Sequence, residues 1–410
     1  MKRGLSIGSE FKMLWFFYIF EFLIGMSCFV APYWTLYFLD VGISYSQIGL
    51  IISLSALAGL LFEVPTGAIA DIFGRKISVF LAFLIGAITV FLVPFSDNWV
   101  WIGALFFAMS AGATFASGAY EAWLVDFLKK SGKQKYVHSA LSRTTSINYA
   151  GQVFAYLVSG IIVAKLSMAW LWYLQGCLMF LGAIFIAFFG RDHFPKKRFS
   201  GFGRALSDTR KISMRSMRVV WRNSTLRILI LAAFLTSLAS MTAVVLQPFM
   251  LDIGISLYMI GLVFAIIGVL GAVFSNFSTN FLSCFENERR ALVLSEILVF
   301  LLVSLIAFVE SPALFLVLWM AFYTVMFLRF PIRSALFQKR VSSGVRATAG
   351  SVKEMVASIG TLIAPLAAGL IADAYGVRAV LIASALVSLP IIFLYNSLED
   401  KGKPGKKDAP

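Results

Sequence analysis

The chain has 410 residues, of which 60% are hydrophobic and 13% are charged, and its 35 Lys and Arg outnumber its 20 Asp and Glu. Soluble chains carry about 25% charged residues, so this one has too little charge to cover a water-exposed surface. Soluble, disordered and collagen-like classes are therefore excluded, and we expect an all-α polytopic membrane protein. The three cysteines, Cys28, Cys177 and Cys284, all lie in apolar stretches, which favours neither a disulfide framework nor a metal site.

Apolar runs long enough to cross a bilayer, about 20 residues each, occur twelve times along the chain. The first six lie at 13–36, 46–69, 77–95, 99–127, 139–164 and 169–189. The second six lie at 227–250, 257–281, 291–309, 312–335, 348–372 and 376–396. The break between the ninth and tenth runs depends on Ser311 and Pro312 alone.

Basic residues concentrate on one side of this predicted topology. The 190–227 stretch carries eleven Lys and Arg, whereas the other side has only Lys165 and Arg378. Because cytoplasmic loops are enriched in Lys and Arg, both termini are predicted to be cytoplasmic. We expect a multi-pass protein of the cell (plasma) membrane, with the lipid bilayer as its surroundings. The net charge of +15 is then a topology signal, so no nucleic-acid partner is expected.

The same distribution predicts four regions. They are an N-terminal six-helix bundle (1–189), a basic cytoplasmic central loop (190–226), a C-terminal six-helix bundle (227–397) and a disordered cytoplasmic tail (398–410). In the central loop, apolar residues such as Phe202 and Trp221 stand among Arg and Lys. This composition fits either an amphipathic stretch on anionic headgroups or a solvated linker.

Two pairs of segments resemble each other across the halves. They are FLDVGISYSQIGL (38–50) with MLDIGISLYMIGL (250–262), and AYLVSG (155–160) with APLAAG (364–369). The first pair has an offset of 212 residues and aligns Gly49 with Gly261; the second has an offset of 209. Two six-helix halves in parallel repeat are typical of secondary transporters, and a channel or a membrane enzyme has less need of them.

The turn after the second predicted span reads GAIADIFGRK (67–76). This stretch resembles the G-x-L-A-D-x-x-G-R-K signature that the major facilitator superfamily carries in the same loop. Since span count, central loop and half-repeat agree, the resemblance covers essentially the whole chain. The chain looks most like the drug:proton antiporter branch of that family.

The resemblance implies a cytoplasmic gate. Its residues would be Gly67, Asp71, Gly74, Arg75, Lys76 and Asp126. Asp71 would cap the N-terminus of the eleventh span, and Arg75 would pair with Asp126 at the end of the fourth. The chain departs from the family at Ile72, where Arg or Lys is usual, and it lacks both the fourth-span Arg of proton-coupled members and the proline of the fifth-span antiporter signature.

One carboxylate lies at mid-membrane depth. Glu21 follows Lys12 by nine residues, about 13 Å into the first span at 1.5 Å per residue. Ionisable groups at this depth are rare and often functional. Glu21 is therefore a candidate for carrying a proton or meeting a cationic substrate, with a neutral structural carboxyl as the alternative.

Further intramembrane charges are candidates for proton coupling or substrate binding. Glu121 lies on the fourth span, and Arg329 and Arg333 share one face of the tenth. At the repeat offset, Arg333 occupies the position of Glu121, so the two fit an ion pair between the halves. Anchoring of the arginines at the membrane edge is the alternative. Glu296, on the ninth span, is expected to be peripheral.

Polar and aromatic side chains on the predicted inner helices are candidates for a substrate cavity. They are Tyr18, Asn148, Gln152, Gln247 and Asn276. Aromatic walls with few polar groups suit amphiphilic substrates.

The sequence contains no Walker A motif, zinc-site spacing or activated nucleophile, so neither an enzyme nor a cofactor is expected. We expect a monomeric secondary transporter that exports amphiphilic small molecules in exchange for protons by alternating access. The first alternative is uptake or export of a metabolite such as a sugar or an organic anion. The alternative from another class is a non-transporting receptor or scaffold on the same fold.

Overall fold

A computed structural model describes residues 7–191, 224–274, 277, 281–282, 285, 287–341 and 346–398. Every regular element in this part of the chain is helical. The α-helices are α1 (Ile7–Met26), α2 (Trp34–Asp40), α3 (Tyr45–Phe73), α4 (Arg75–Leu92), α5 (Trp99–Ala113), α6 (Ala119–Lys130), α7 (Val137–Lys165), α8 (Ala169–Phe189), α9 (Ser224–Leu238), α10 (Thr242–Asp252), α11 (Leu257–Phe274), α12 (Glu288–Ala307), α13 (Pro312–Arg340), α14 (Arg346–Tyr375) and α15 (Val377–Asn396).

Within the described residues, ten helical stretches are long and apolar enough to cross a membrane. They correspond to ten of the twelve predicted spans, and the prediction of an all-α multi-pass membrane protein is confirmed. The break predicted at Ser311 and Pro312 is also present. Ser311 accepts a hydrogen bond from the amide of Leu314 as the N-cap of α13, and Pro312 occupies the first turn, where its missing N–H is not needed.

The other two predicted spans, 13–36 and 99–127, are each split into two helices. The first is interrupted between α1 and α2, where Pro32 has no N–H to donate to the carbonyl of Cys28. The second is interrupted between α5 and α6 at Gly118, whose φ of 65° is a left-handed conformation that glycine adopts readily. Hydropathy alone does not reveal such breaks, because the residues around them remain apolar.

Helices from each half of the chain pack against one another. In the N-terminal group, α1 to α8, α4 packs against α5 and α8, and α7 packs against α1. In the C-terminal group, α9 to α15, α12 packs against α13 and α15, and α9 packs against α14. The predicted boundaries at 189, 226 and 397 stay predictions, since 192–223 and 399–410 lie outside the described residues.

Large aromatic side chains cover the outside of the helices. Phe188, Phe330 and Phe393 are each between 71% and 80% exposed. In water such a surface would aggregate, whereas in hydrocarbon it is compatible with the solvent. Because helices satisfy their backbone hydrogen bonds internally, they can present these side chains to lipid.

The first of two crossings between the groups joins α3 to α14. A Cβ at Gly49 would collide with the carbonyl oxygen of Pro365, and a Cβ at Gly369 would collide with that of Tyr45. The two backbones are therefore in direct contact, with no side chain between them. Only glycine permits this approach.

The second crossing, between α7 and α11, has the same construction. A Cβ at Gly261 would collide with the carbonyl oxygen of Tyr156, and a Cβ at Gly160 would collide with that of Tyr258. The glycines aligned by the two sequence repeats, Gly49 with Gly261 and Gly160 with Gly369, therefore occupy equivalent places in the two crossings. The repeats mark the surfaces where the halves meet.

Both crossings lie toward one membrane face. This closed face contains the turns at 41–44 and 253–256 and the turn at Gly376, and the basic face at the other end carries Arg75 and Lys129. Toward the basic face the same helices expose polar groups. Glu63 on α3 and Ser142 and Thr145 on α7 are all exposed. Among the described residues, the two groups therefore meet at the closed face and expose polar side chains toward the basic face.

We predict that Gly49→Ala shifts the protein away from this closed arrangement. The added methyl meets a backbone oxygen, which no rotamer change relieves, and overpacking of this kind costs about 1–3 kcal/mol. Hydrogen exchange at the amides of Tyr45 and Ser46, which lie at this crossing, should become faster. Gly350→Ala on α14 is the matched control, because a Cβ there meets nothing within 4 Å. Equal exchange in the two variants would show that the crossing does not control closure.

Candidate functional site

A hydrogen-bonded chain begins at Glu21. The half-buried carboxylate of Glu21 accepts a hydrogen bond of 2.9 Å from Asn148 Nδ2. Asn148 Oδ1 accepts one of 2.7 Å from Gln152 Nε2, and Gln152 Oε1 accepts one of 3.3 Å from the hydroxyl of Tyr156. Residues four apart share one face of a helix, so α7 presents these three polar side chains as a continuous row.

The far end of this row reaches the second crossing. The ring of Tyr156 lies edge-on to Phe264 of α11, with centroids 5.8 Å apart. The carbonyl oxygen of Tyr156 is also the atom that approaches Gly261. Glu21 on α1 is therefore connected, through the polar side chains of α7, to the surface where the halves meet. A change in the protonation of Glu21 can act along this row.

Two residues of α6 complete the surroundings of Glu21. The hydroxyl of Tyr120 lies within hydrogen-bonding reach of the Glu21 carboxylate, and Glu121 is close enough to interact with it electrostatically. Glu121 itself is exposed. Two acids of different exposure thus lie near each other in the N-terminal group.

The other sequence candidates have varied surroundings. Tyr18 is buried in an apolar cluster with Phe17 and Phe20, where its ring packs among the N-terminal helices. Gln247 is 2% exposed, and its Oε1 has no hydrogen-bond partner within the described structure. Asn276 lies outside the described residues.

The turn between α3 and α4 has the geometry that the resemblance implies. Gly74 has a φ of 97°, and Arg75 Nε lies 3.1 Å from Asp126 Oδ2 on α6. Lys76 donates a 2.8 Å hydrogen bond to the carbonyl oxygen of Ala187 on α8. A Cβ at Gly67 would meet nothing within 4 Å. The side chain of Asp71 lies outside the described part of the chain, so its capping role stays a prediction.

The expectation that Glu296 is peripheral is wrong. Glu296 is fully buried, and its Oε1 lies 2.5 Å from Arg329 Nη1, which is itself nearly buried. A charged side chain inside a membrane protein requires a partner of opposite charge. Glu296 and Arg329 are such partners for each other. Hydropathy placed Glu296 on the ninth span, but it could not show that the side chain points into the C-terminal group.

Arg333 is not paired with Glu121 in this conformation. Its Nη1 donates a 3.0 Å hydrogen bond to Thr236 Oγ1 on α9, and no ion pair joins it to Glu121 among the described side chains. Arg329 and Arg333 therefore both have partners within their own group of helices.

At the closed face, side chains of one group bind the backbone of the other. Asp373 on α14 accepts hydrogen bonds from the amides of Tyr45 (3.1 Å) and Ser46 (2.8 Å), at the N-terminus of α3. A carboxylate is favourable there because helix N-termini carry unpaired N–H groups and a partial positive charge.

The buried tyrosine Tyr33 makes the corresponding contact near the second crossing. Its hydroxyl donates to the carbonyl oxygen of Leu257 and accepts from the amide of Gly261, each at 3.0 Å. The hydroxyl thus joins the N-terminal group to the first turn of α11.

The sequence held a signal for Asp373 that span counting did not use. Residues 369–376 read GLIADAYG and resemble GAIADIFG at 67–74. Gly74 and Gly376 both have positive φ, and each is followed at once by a new helix. The two copies lie at opposite membrane faces, at the ends of the two helices that form the first crossing.

Comparison with known proteins agrees with this architecture. The family model described as Major Facilitator Superfamily matches residues 14–352 and 286–410. The chain is 24% identical over 393 residues to an uncharacterized MFS-type transporter, YxaM, of Bacillus subtilis strain 168, covering 92% of this chain and 94% of that one. It is 23% identical over 296 residues to a multi-drug resistance efflux pump PmrA homolog of Lactococcus lactis subsp. lactis strain IL1403, covering 71% of each.

Solved structures share the fold. The crystal structure of the nucleoside transporter NupG has a TM-score of 0.79 at 17% identity, covering 94% of this chain and 98% of that one. A bacterial homolog of the human lysosomal transporter Spinster, in an inward-facing and occupied conformation, has a TM-score of 0.75 at 13% identity, covering 96% and 97%. At these identities the likeness establishes the fold alone. Together with the family match, it shows that this chain is a transporter of the major facilitator superfamily.

Proposed function

We propose that this transporter exports amphiphilic small molecules in exchange for protons, with Glu21 as the proton carrier. The observation that carries the proposal is the hydrogen-bonded chain from Glu21 through Asn148 and Gln152 to Tyr156. A carboxyl that gains a proton loses its charge and gains an O–H donor while one oxygen still accepts, so the set of hydrogen bonds open to Asn148 and Tyr120 changes. The change would reach the crossing at Gly261.

The proposed orientation places the basic face in the cytoplasm. The described structure is then closed to the outside and separated toward the inside, which is the arrangement in which a substrate enters from the cytoplasm. Alternating access follows if the crossings open while the basic face closes.

The amphiphilic substrate class rests on the surroundings of Glu21 and on one relative. The Tyr120 side chain lies beside the Glu21 carboxylate, and its ring packs against that of Phe17, with centroids 6.2 Å apart. Aromatic side chains beside a few acidic groups suit a hydrophobic or weakly cationic compound. The Lactococcus relative that is named an efflux pump homolog supports the same class at a distance.

The anionic-metabolite alternative has less support. It requires Arg329 and Arg333 to hold an anion, but Arg329 is neutralised by Glu296 and Arg333 donates to Thr236. An entering anion would have to displace a buried carboxylate, which is unfavourable.

We predict that Glu21→Gln abolishes proton-driven accumulation but retains passive exchange. The amide keeps an oxygen to accept from Asn148, so the local geometry persists, but it cannot bind and release a proton. The measurement is ethidium transport by the purified protein in liposomes, with and without an imposed pH gradient. Glu310→Gln, at an exposed acid between α12 and α13, is the matched control. Gradient-driven accumulation at the wild-type level in Glu21→Gln would remove Glu21 from this role.

We predict that Asp373→Ala loosens the closed face. It removes two hydrogen bonds at the N-terminus of α3, and loss of such a cap costs about 1 kcal/mol, a shift of roughly fivefold in the open-to-closed ratio. The readout is the rate at which a membrane-impermeant maleimide labels a cysteine at Ala368, which is buried beside the first crossing.

Labelling at Ala368→Cys should become faster in the Asp373→Ala background. Asp97→Ala is the control, because Asp97 is an exposed acid in the turn between α4 and α5, on the same face. If both backgrounds label at the same rate, Asp373 does not hold the closed face.

A further inference from the structure

A cavity lies inside the C-terminal group of helices, apart from the Glu21 chain. Its volume is about 210 Å³, which corresponds to about seven water molecules at roughly 30 Å³ each. Its walls come from α9, α10, α12, α13 and α15. All of these helices belong to one half of the protein, so the cavity does not lie between the two halves.

Two residues that line this cavity have a buried polar atom without a hydrogen bond. Glu296 Oε2 and Trp319 Nε1 are shielded, and neither has a hydrogen-bond partner in the described structure. The other carboxylate oxygen, Oε1, lies 2.5 Å from Arg329 Nη1 in an ion pair, so Oε2 is the acceptor of Glu296 that is left over. An unmade hydrogen bond in a buried site costs about 1–3 kcal/mol. The unpaired polar atoms at this cavity therefore indicate that a molecule with polar groups binds there.

Hydroxyl groups add acceptors to the same wall. Ser384 Oγ donates to the carbonyl oxygen of Ala239, and Ser240 Oγ donates to that of Ser237. A hydroxyl that donates to the backbone keeps its lone pairs for a ligand. The cavity thus offers acceptors from the hydroxyls and Glu296, and donors from Trp319 and Arg329.

One side of the cavity is aromatic. The rings of Trp319 and Phe322 are stacked, with centroids 4.9 Å apart, and Tyr323 lies edge-on to Trp319 at 5.2 Å. Glu296 and Arg329 together carry no net charge. A charged ligand would therefore enter without a counterion, whereas a neutral one would not disturb the pair.

We propose that this cavity is a ligand site for a small uncharged aromatic molecule that bears an adjacent hydrogen-bond donor and acceptor, as in a primary amide. The donor would bind Glu296, the acceptor would bind Trp319 Nε1 or Arg329, and the ring would lie against the aromatic wall. Because an occupant would contact α9, α12, α13 and α15 together, binding would stabilise the C-terminal group.

Benzamide is the probe, because it is flat, uncharged and carries both groups on one edge. We expect saturable binding to the purified protein in nanodiscs by calorimetry, together with a raised melting temperature. Benzoate and toluene are the matched compounds: the first adds a charge, and the second lacks the polar edge. Both should bind at least roughly tenfold more weakly, as expected from one lost buried hydrogen bond or one unpaired charge.

Two cavity variants test the assignment. Trp319→Phe keeps the ring and removes the N–H, and Ser384→Ala removes one hydroxyl; each should weaken benzamide binding, the first by roughly tenfold. Trp101→Phe is the control, since Trp101 is 44% exposed and far along the chain from the cavity. The measurement requires no gradient and no transport, so its result is separate from that of the proton-coupling proposal.

The opposite results overturn the proposal. Absence of benzamide binding to the wild-type protein would show that the cavity holds water only. Binding that Trp319→Phe and Ser384→Ala leave unchanged would place the molecule elsewhere. Equal binding of toluene would show that the unpaired polar atoms play no part.

Discussion

The low polarity of the bilayer interior determines the rest of this structure. Hydrocarbon cannot satisfy a charge or a backbone amide, so each one in the membrane must find a partner inside the protein. Glu296 is fully buried and is matched by Arg329, and Glu21 is held by Asn148. The few ionisable side chains inside the membrane are therefore the places where proton binding and conformational change can be coupled.

The halves meet through contacts that suit repeated opening. At both crossings glycine lets backbone touch backbone, and side-chain hydrogen bonds between the halves come from Tyr33, Ser53 and Asp373. None of these contacts is an ion pair buried in hydrocarbon, so separating them leaves no uncompensated charge. The Glu21 chain ends at Tyr156, beside one of these crossings. The side chains that would respond to a proton on Glu21 therefore lie next to the backbone contact that closes this face.

Much of the fold could be predicted from the sequence, because the hydropathy of a segment shows whether it lies in lipid or in water. The ten spans that are long and apolar enough to cross a membrane and the break at Ser311 follow from it. The interruption at Gly118 does not, since it depends on a backbone conformation within an apolar run. For the site, depth counting identified Glu21, but it missed Glu296 because burial depends on which face a helix turns inward. The repeats identified Gly49 and Gly261 before their contacts could be seen.

The central claim is that protonation makes the two halves rock, so that the crossings at the closed face open while the basic face closes. Its most direct test is a pair of distances measured by double electron–electron resonance on cysteine-replaced protein in nanodiscs. One pair of labels, at Asp40 and Glu310, spans the closed face, and the other, at Lys129 and Gln338, spans the basic face; all four positions are exposed. The account predicts that a change of pH alters the two distances in opposite directions. Distances that stay constant, or that lengthen together, would contradict it.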